Sequence, residues 1–160
     1  MLNSYEKSIS ILAFALMAAN GFCMKITPYY SALRAEANNN SRDHIAAGAG
    51  IDQFYSLSAK SKAGTSFVFS SDFTDFTTTE FLLAYDYLSA DNLFGRKIPL
   101  FTGVAAGVEN IFYDGDCSTK LNIGAEAKVV FVKKQTCIIP FVRLGFPYLF
   151  SLGVSMGVMF

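Results

Sequence analysis

Few residues in this chain could carry out chemistry. His44 is the only histidine, and it stands beside Asp43 and near Ser41. A histidine beside a serine is the minimum for nucleophilic catalysis, in which the imidazole takes the proton of the attacking hydroxyl. The competing reading is a titratable polar residue in a loop, because adjacent loop residues need not meet in the geometry catalysis demands. The three cysteines, Cys23, Cys117 and Cys137, form no zinc-binding spacing with one histidine. No glycine-rich phosphate loop follows a strand and opens a helix. The chain is therefore expected to hold no metal and no cofactor, and to have no catalytic residue. The remaining chemistry is charge, in Glu80, Asp86, Glu109, Glu126, Lys128 and Arg143, and its meaning depends on the elements that carry it.

Those elements are constrained by composition. The 160 residues are 52% hydrophobic, 15% aromatic and 16% charged, against about 25% charged in an ordinary soluble domain. Disorder is excluded. Mean hydropathy is +0.33, yet the longest unbroken apolar run is the nine residues 11–19, where a membrane-spanning helix needs about 20. The 13 Lys+Arg balance the 13 Asp+Glu without a basic block, which leaves nucleic-acid binding no electrostatic footing. Abundant apolar surface without a helical span is resolved by a transmembrane β-barrel, whose apolar residues are diluted two-fold by alternation of faces.

Residues 1–22 read as a cleaved signal peptide, with Lys7, an apolar centre and the small residues Ala19 and Gly21 before a cut near Phe22. Residues 23–160 read as the barrel. Phe22 stands where a lipid-anchor signal needs Gly or Ala, so Cys23 is taken as incidental. From Lys25 onward, period-two patterning marks eight strands at roughly 24–35, 44–57, 65–73, 78–88, 98–112, 120–132, 137–145 and 150–160. In the last, Phe150, Leu152, Val154, Met156, Val158 and Phe160 share one face, and Ser151, Gly153, Ser155, Gly157 and Met159 the other. The polarity of the first strand is ambiguous.

The six charged residues all fall on the face opposite the apolar row. An eight-stranded barrel is just wide enough for side chains to fill, so this set is expected to pair as an interior network, with Arg143 opposite Glu126. A narrow ion path is the alternative. With both termini periplasmic, the external turns carry Asn and Asp, and the periplasmic turns Lys and Arg. Cys117 and Cys137 then lie on opposite rims, on the order of 20 Å apart across the apolar band. That is too far for a disulfide, which needs Cα atoms within about 7 Å.

The segments Pro99-Leu-Phe-Thr-Gly-Val-Ala-Ala-Gly-Val-Glu109, Leu121-Asn-Ile-Gly-Ala-Glu-Ala-Lys128 and Gly153-Val-Ser-Met-Gly-Val-Met-Phe160 resemble the small opacity-type, outer-membrane-protein-A-like surface barrels of Gram-negative bacteria, of the porin family. The resemblance implies an integral outer-membrane surface protein. It also implies that Val154, Met156, Val158 and Phe160 form the carboxyl-terminal signal read by the outer-membrane insertion machinery. No peptidoglycan-binding domain follows Phe160, so that role of longer members is not expected. The leading expectation is a non-enzymatic structural or interaction protein without a wide pore. Its partners would be outer-membrane lipid, the insertion machinery and a host or envelope partner reached through short external loops. The alternatives are an outer-membrane lipid-modifying hydrolase or acyltransferase using His44, and a soluble lipocalin-like ligand-binding barrel with its apolar faces turned inward.

Overall fold

The computed structural model describes residues 26–39, 45–147 and 149–160. The expected signal peptide, Cys23, and the group Ser41, Asp43 and His44 lie outside the described residues. The strands are β1 (Thr27–Asn39), β2 (Ile45–Ser56), β3 (Ser61–Ser71), β4 (Phe76–Ala90), β5 (Leu100–Tyr113), β6 (Asp116–Val129), β7 (Phe131–Lys133), β8 (Thr136–Phe146) and β9 (Phe150–Met159). They form one antiparallel meander that closes where β1 pairs with β9, from Tyr30 opposite Met159 to Asn39 opposite Phe150. β6 and β7 act as one barrel strand. Both pair with β8, and the register from Lys128 opposite Phe141 carries on to Phe131 opposite Ile138 without a slip. The break falls at Val130, which is buried and donates its N–H to Pro99 O at 3.1 Å. The barrel therefore has the expected eight strands. Closure matters because an open sheet edge in hydrocarbon leaves backbone groups unsatisfied at several kcal/mol each.

Alternation of side chains decides what each surface is. Along β6, Leu121 and Ile123 are exposed while Asn122, Glu126 and Lys128 are buried; along β8, Ile138, Val142 and Leu144 are exposed while Arg143 is 2% exposed. This is the reverse of a water-soluble protein. The apolar residues coat the outside and the charges fill the inside, which rules against the lipocalin-like expectation of apolar faces turned inward. The outer coat ends in aromatic residues, as membrane barrels require at their interfaces. Tyr55, Tyr85 and Tyr87 lie outward toward the end that holds the termini, and Phe112, Phe146 and Phe150 toward the other. β1, ambiguous in sequence, turns Tyr30, Ala32, Arg34, Glu36 and Asn38 inward, beyond an irregularity between Pro28 and Tyr30.

Turn chemistry fixes the hairpins. Asp114 and Gly115 join β5 to β6 with φ of 50° and 81°, the left-handed pair that suits a two-residue hairpin. Between β3 and β4, Asp72 Oδ1 accepts from the N–H groups of Thr74 at 2.9 Å and Phe76 at 3.2 Å, so the side chain supplies the acceptor for the turn. Two boundaries differ from expectation. The span 60–64 reads as a turn, but Lys62, Ala63 and Gly64 belong to the β2–β3 ladder. There a Cβ on Gly64 would meet the Phe54 ring at 2.5 Å, so the glycine is needed for packing. Phe73, the last residue of the expected strand 65–73, sits in the turn with φ of 64° and is 83% exposed.

Candidate functional site

The barrel interior gathers the charges that the strands turn inward. Glu80, Asp86, Glu109, Glu126, Lys128 and Arg143 are all buried. Lys128 Nζ lies 2.9 Å from Asp86 Oδ2 and 2.7 Å from Glu126 Oε1, and 4.0 Å above the Phe54 ring. Arg143 Nη2 donates to Glu80 Oε2 at 2.8 Å, and Asn122 Nδ2 donates to the same oxygen at 2.9 Å. The expected link between Arg143 and Glu126 needs correction. The two are opposite in the β6–β8 register, but Arg143 reaches Glu80 on β4 and Glu126 is taken by Lys128. An arginine is long enough to cross so narrow a lumen, and a facing Cα position therefore does not select its partner. Glu109 faces Glu80 across β4–β5 and Lys120 across β5–β6.

A second group escaped the sequence reading. Arg34 Nε donates to Glu36 Oε2 at 2.6 Å, its Nη1 lies 3.4 Å from Asp52 Oδ1, and its guanidinium stacks 3.8 Å over the Phe141 ring. Asp52 also accepts from Ser66 at 2.6 Å and Ser155 at 2.5 Å. Asn38 Nδ2 bridges Glu36 and Ser70, at 3.1 Å each. The available signal was the alternation of Arg34, Glu36 and Asn38 at every second position. It was masked because the opposite row is alanine-rich rather than plainly apolar.

Toward the terminal end the lumen is filled by an apolar floor that includes Tyr30, Phe54, Leu82, Phe101 and Ile139. Lys62 caps it. Its ammonium donates to Ser58 O at 2.8 Å, Ala59 O at 3.1 Å and Ser56 Oγ at 3.2 Å, and stands 4.8 Å from the Tyr29 ring. A smaller cluster of Ala46, Phe76 and Ile111, with Tyr113, occupies the opposite end. Buried charge is tolerated only when paired and hydrogen-bonded. This arrangement sets a layer of ion-paired side chains between two apolar layers, and no group of three or more His, Cys, Asp or Glu suited to a metal occurs among the described residues.

The rims differ in charge. Lys60, Arg96, Lys97, Lys133 and Lys134 are exposed at the end that holds the termini, where Asp91 also lies; Asp72, Asp75, Asp114 and Asp116 ring the other. Cys117 is exposed beside the 114–115 turn and Cys137 is buried beside the 134–135 turn, both as free thiols. They sit at opposite ends, as expected. Val154, Met156, Val158 and Phe160 face outward along the closing strand, and Phe160 N donates to Tyr29 O at 3.1 Å.

No protein-family model matches the chain, and no curated protein matches it. Solved structures do. The crystal structure of Neisserial surface protein A superposes with a TM-score of 0.61 at 10% identity, covering 83% of this chain and 96% of that one. The crystal structure of Ail, the attachment invasion locus protein of Yersinia pestis, gives a TM-score of 0.50 at 8% identity, covering 84% of this chain and 98% of that one. At such identity the likeness is one of fold: a closed eight-stranded antiparallel barrel like those of outer-membrane barrel structures.

Proposed function

We propose that this chain is an integral outer-membrane surface barrel that acts through its rims and its stability, in envelope integrity or adhesion-type contact, and neither conducts solute nor catalyses a reaction. The carrying observation is the inverted polarity of the barrel. Its outer surface presents Leu33, Phe67, Leu83, Leu121, Leu152 and Met156, while ten acidic and basic side chains among the described residues are buried inside. Only a hydrocarbon solvent makes that distribution favourable. The non-conducting reading is supported by the floor under Lys62 and by the ion pairs above it, which leave the narrow lumen filled. The shared fold with Neisserial surface protein A and the attachment invasion locus protein favours surface exposure. The acidic turns at 72–75 and 114–115 are the surface available to a host or envelope partner, and the terminal row ending in Phe160 is the segment offered to the insertion machinery.

The test is reconstitution of the folded protein into planar bilayers, together with fractionation of cells that express it. The protein is expected in the outer-membrane fraction, with heat-modifiable gel migration and no stepwise conductance. A persistent open channel at low voltage would overturn the non-conducting part. A protein soluble without detergent would overturn the whole.

A further inference from the structure

The hairpin that joins β7 to β8 does not resemble the rest of the outer wall. β7 has a strand neighbour on one edge only, since β5 ends its pairing with this side at Leu100 opposite Val129. Beside it lies an outward groove of about 410 Å³ lined by Phe131, Val132, Lys133, Lys134, Thr136 and Ile138. Its walls are apolar, and two exposed lysines stand at its tip, where Lys134 takes a left-handed backbone with φ of 58°. The groove sits on the rim that also carries Lys60, Arg96 and Lys97.

We infer that this groove is a binding site for an anionic phospholipid, with an acyl chain along Phe131 and Ile138 and the phosphate between Lys133 and Lys134. The inference rests on the membrane reading above. An apolar trough lined at its tip by two exposed lysines matches the two halves of such a lipid, and neither half alone accounts for both features. A basic rim attracts anionic headgroups generally, but the groove adds a fixed place for the chain. The phospholipid commitment follows from the side: the site is on the rim of the termini, remote from the acidic rim assigned to the exterior. The site would anchor one end of the barrel at a set depth in its leaflet.

The chain contains no tryptophan, so Phe131→Trp supplies a sole reporter, with Ile138→Trp as a second should the first fail to fold. The folded variants are reconstituted in phosphatidylcholine vesicles that contain equal small fractions of brominated phosphatidylglycerol or brominated phosphatidylcholine. Brominated phosphatidylglycerol should quench more strongly. Apparent association should favour it by about fivefold per lysine, the usual strength of a cationic side chain at an anionic membrane surface. Lys133→Gln with Lys134→Gln should bring the ratio near one, and a Phe150→Trp reporter at the opposite rim should show no preference. Equal quenching by both lipids with the lysines intact overturns the site. Unlabelled lipid A that displaces the brominated lipid better than unlabelled phosphatidylglycerol, at equal phosphate, overturns the choice of phospholipid. Heat-modifiable migration is checked first, so that a barrel that fails to insert is recognised as failure of the membrane reading, which takes the site down with it.

Discussion

Replacing Arg143 with methionine removes the largest fully buried side chain of the lumen while retaining much of its length. Glu80 then loses the guanidinium 2.8 Å away but remains buried, with Asn122 still donating to it and Glu109 directly opposite in the ladder. Stripping one partner from a buried pair costs about 3 to 5 kcal/mol, because the other charge is left uncompensated. Arg143→Met is expected to fall in that range. Substituting Glu80→Gln as well should recover most of the loss, since replacing a whole buried pair is often near neutral. Equilibrium urea unfolding in detergent or short-chain lipid vesicles, followed by tryptic protection or gel migration, would measure all three variants beside Lys97→Ala as an exposed control. A loss for Arg143→Met no larger than that for Lys97→Ala would refute the interior pair. So would a double variant whose loss equals the sum of the two single losses.

Deleting Phe160, or replacing it with Asp, should leave the chain exported but largely uninserted, seen as loss of heat-modifiable migration and of outer-membrane recovery; substitution of Asp116 by Asn should leave insertion intact. Gly107→Leu should impair folding, because a Cβ there would collide with the backbone of the neighbouring strand at Phe81 O and Leu82 Cα. Overpacking of this kind costs about 1 to 3 kcal/mol or more, and refolding yield would report it. In the folded Cys23→Ser protein a maleimide should label exposed Cys117 and spare buried Cys137 until denaturation. Mass spectrometry without reductant should find no bridge between them.

How far the sequence discloses this architecture depends on which residues occupy the outward row. Where it holds Leu, Val, Met and Phe, as in Phe150 to Phe160, the period of two is plain, and in Leu121 to Val129 the flanking Leu121, Ile123 and Val129 keep it visible around Ala125 and Ala127, so that the inward charges follow from it. Where it holds alanine, as in Ala35 and Ala37 of β1 facing Ala49 and Ala47 of β2, the contrast vanishes, and with it the Arg34–Glu36–Asp52 group. Phe76 and Phe54 mislead in the opposite sense: they are apolar yet point inward to form the layers at the two ends of the lumen, so β4 begins before the alternation becomes visible. Ion partners are less legible than faces. Backbone register places Arg143 opposite Glu126, but side-chain length within a narrow lumen decides that it binds Glu80. The rim charges were readable as turn composition, whereas the groove at Phe131 and Ile138 was not, because it depends on β7 outrunning the paired part of β5.

The central claim is that the apolar row of each strand faces lipid. Nitroxide labels placed singly at Leu152, Val154, Met156 and Val158, after Cys23→Ser, Cys117→Ser and Cys137→Ala, measure this directly in reconstituted vesicles through collision with oxygen, which concentrates in the hydrocarbon, and with a water-soluble nickel complex. Membrane-embedded strands predict that Val154 and Met156 collide mainly with oxygen and that the nickel complex gains access only toward the ends of β9. Labels that collide with the nickel complex equally along the whole row would show that this surface faces water, and would contradict the account.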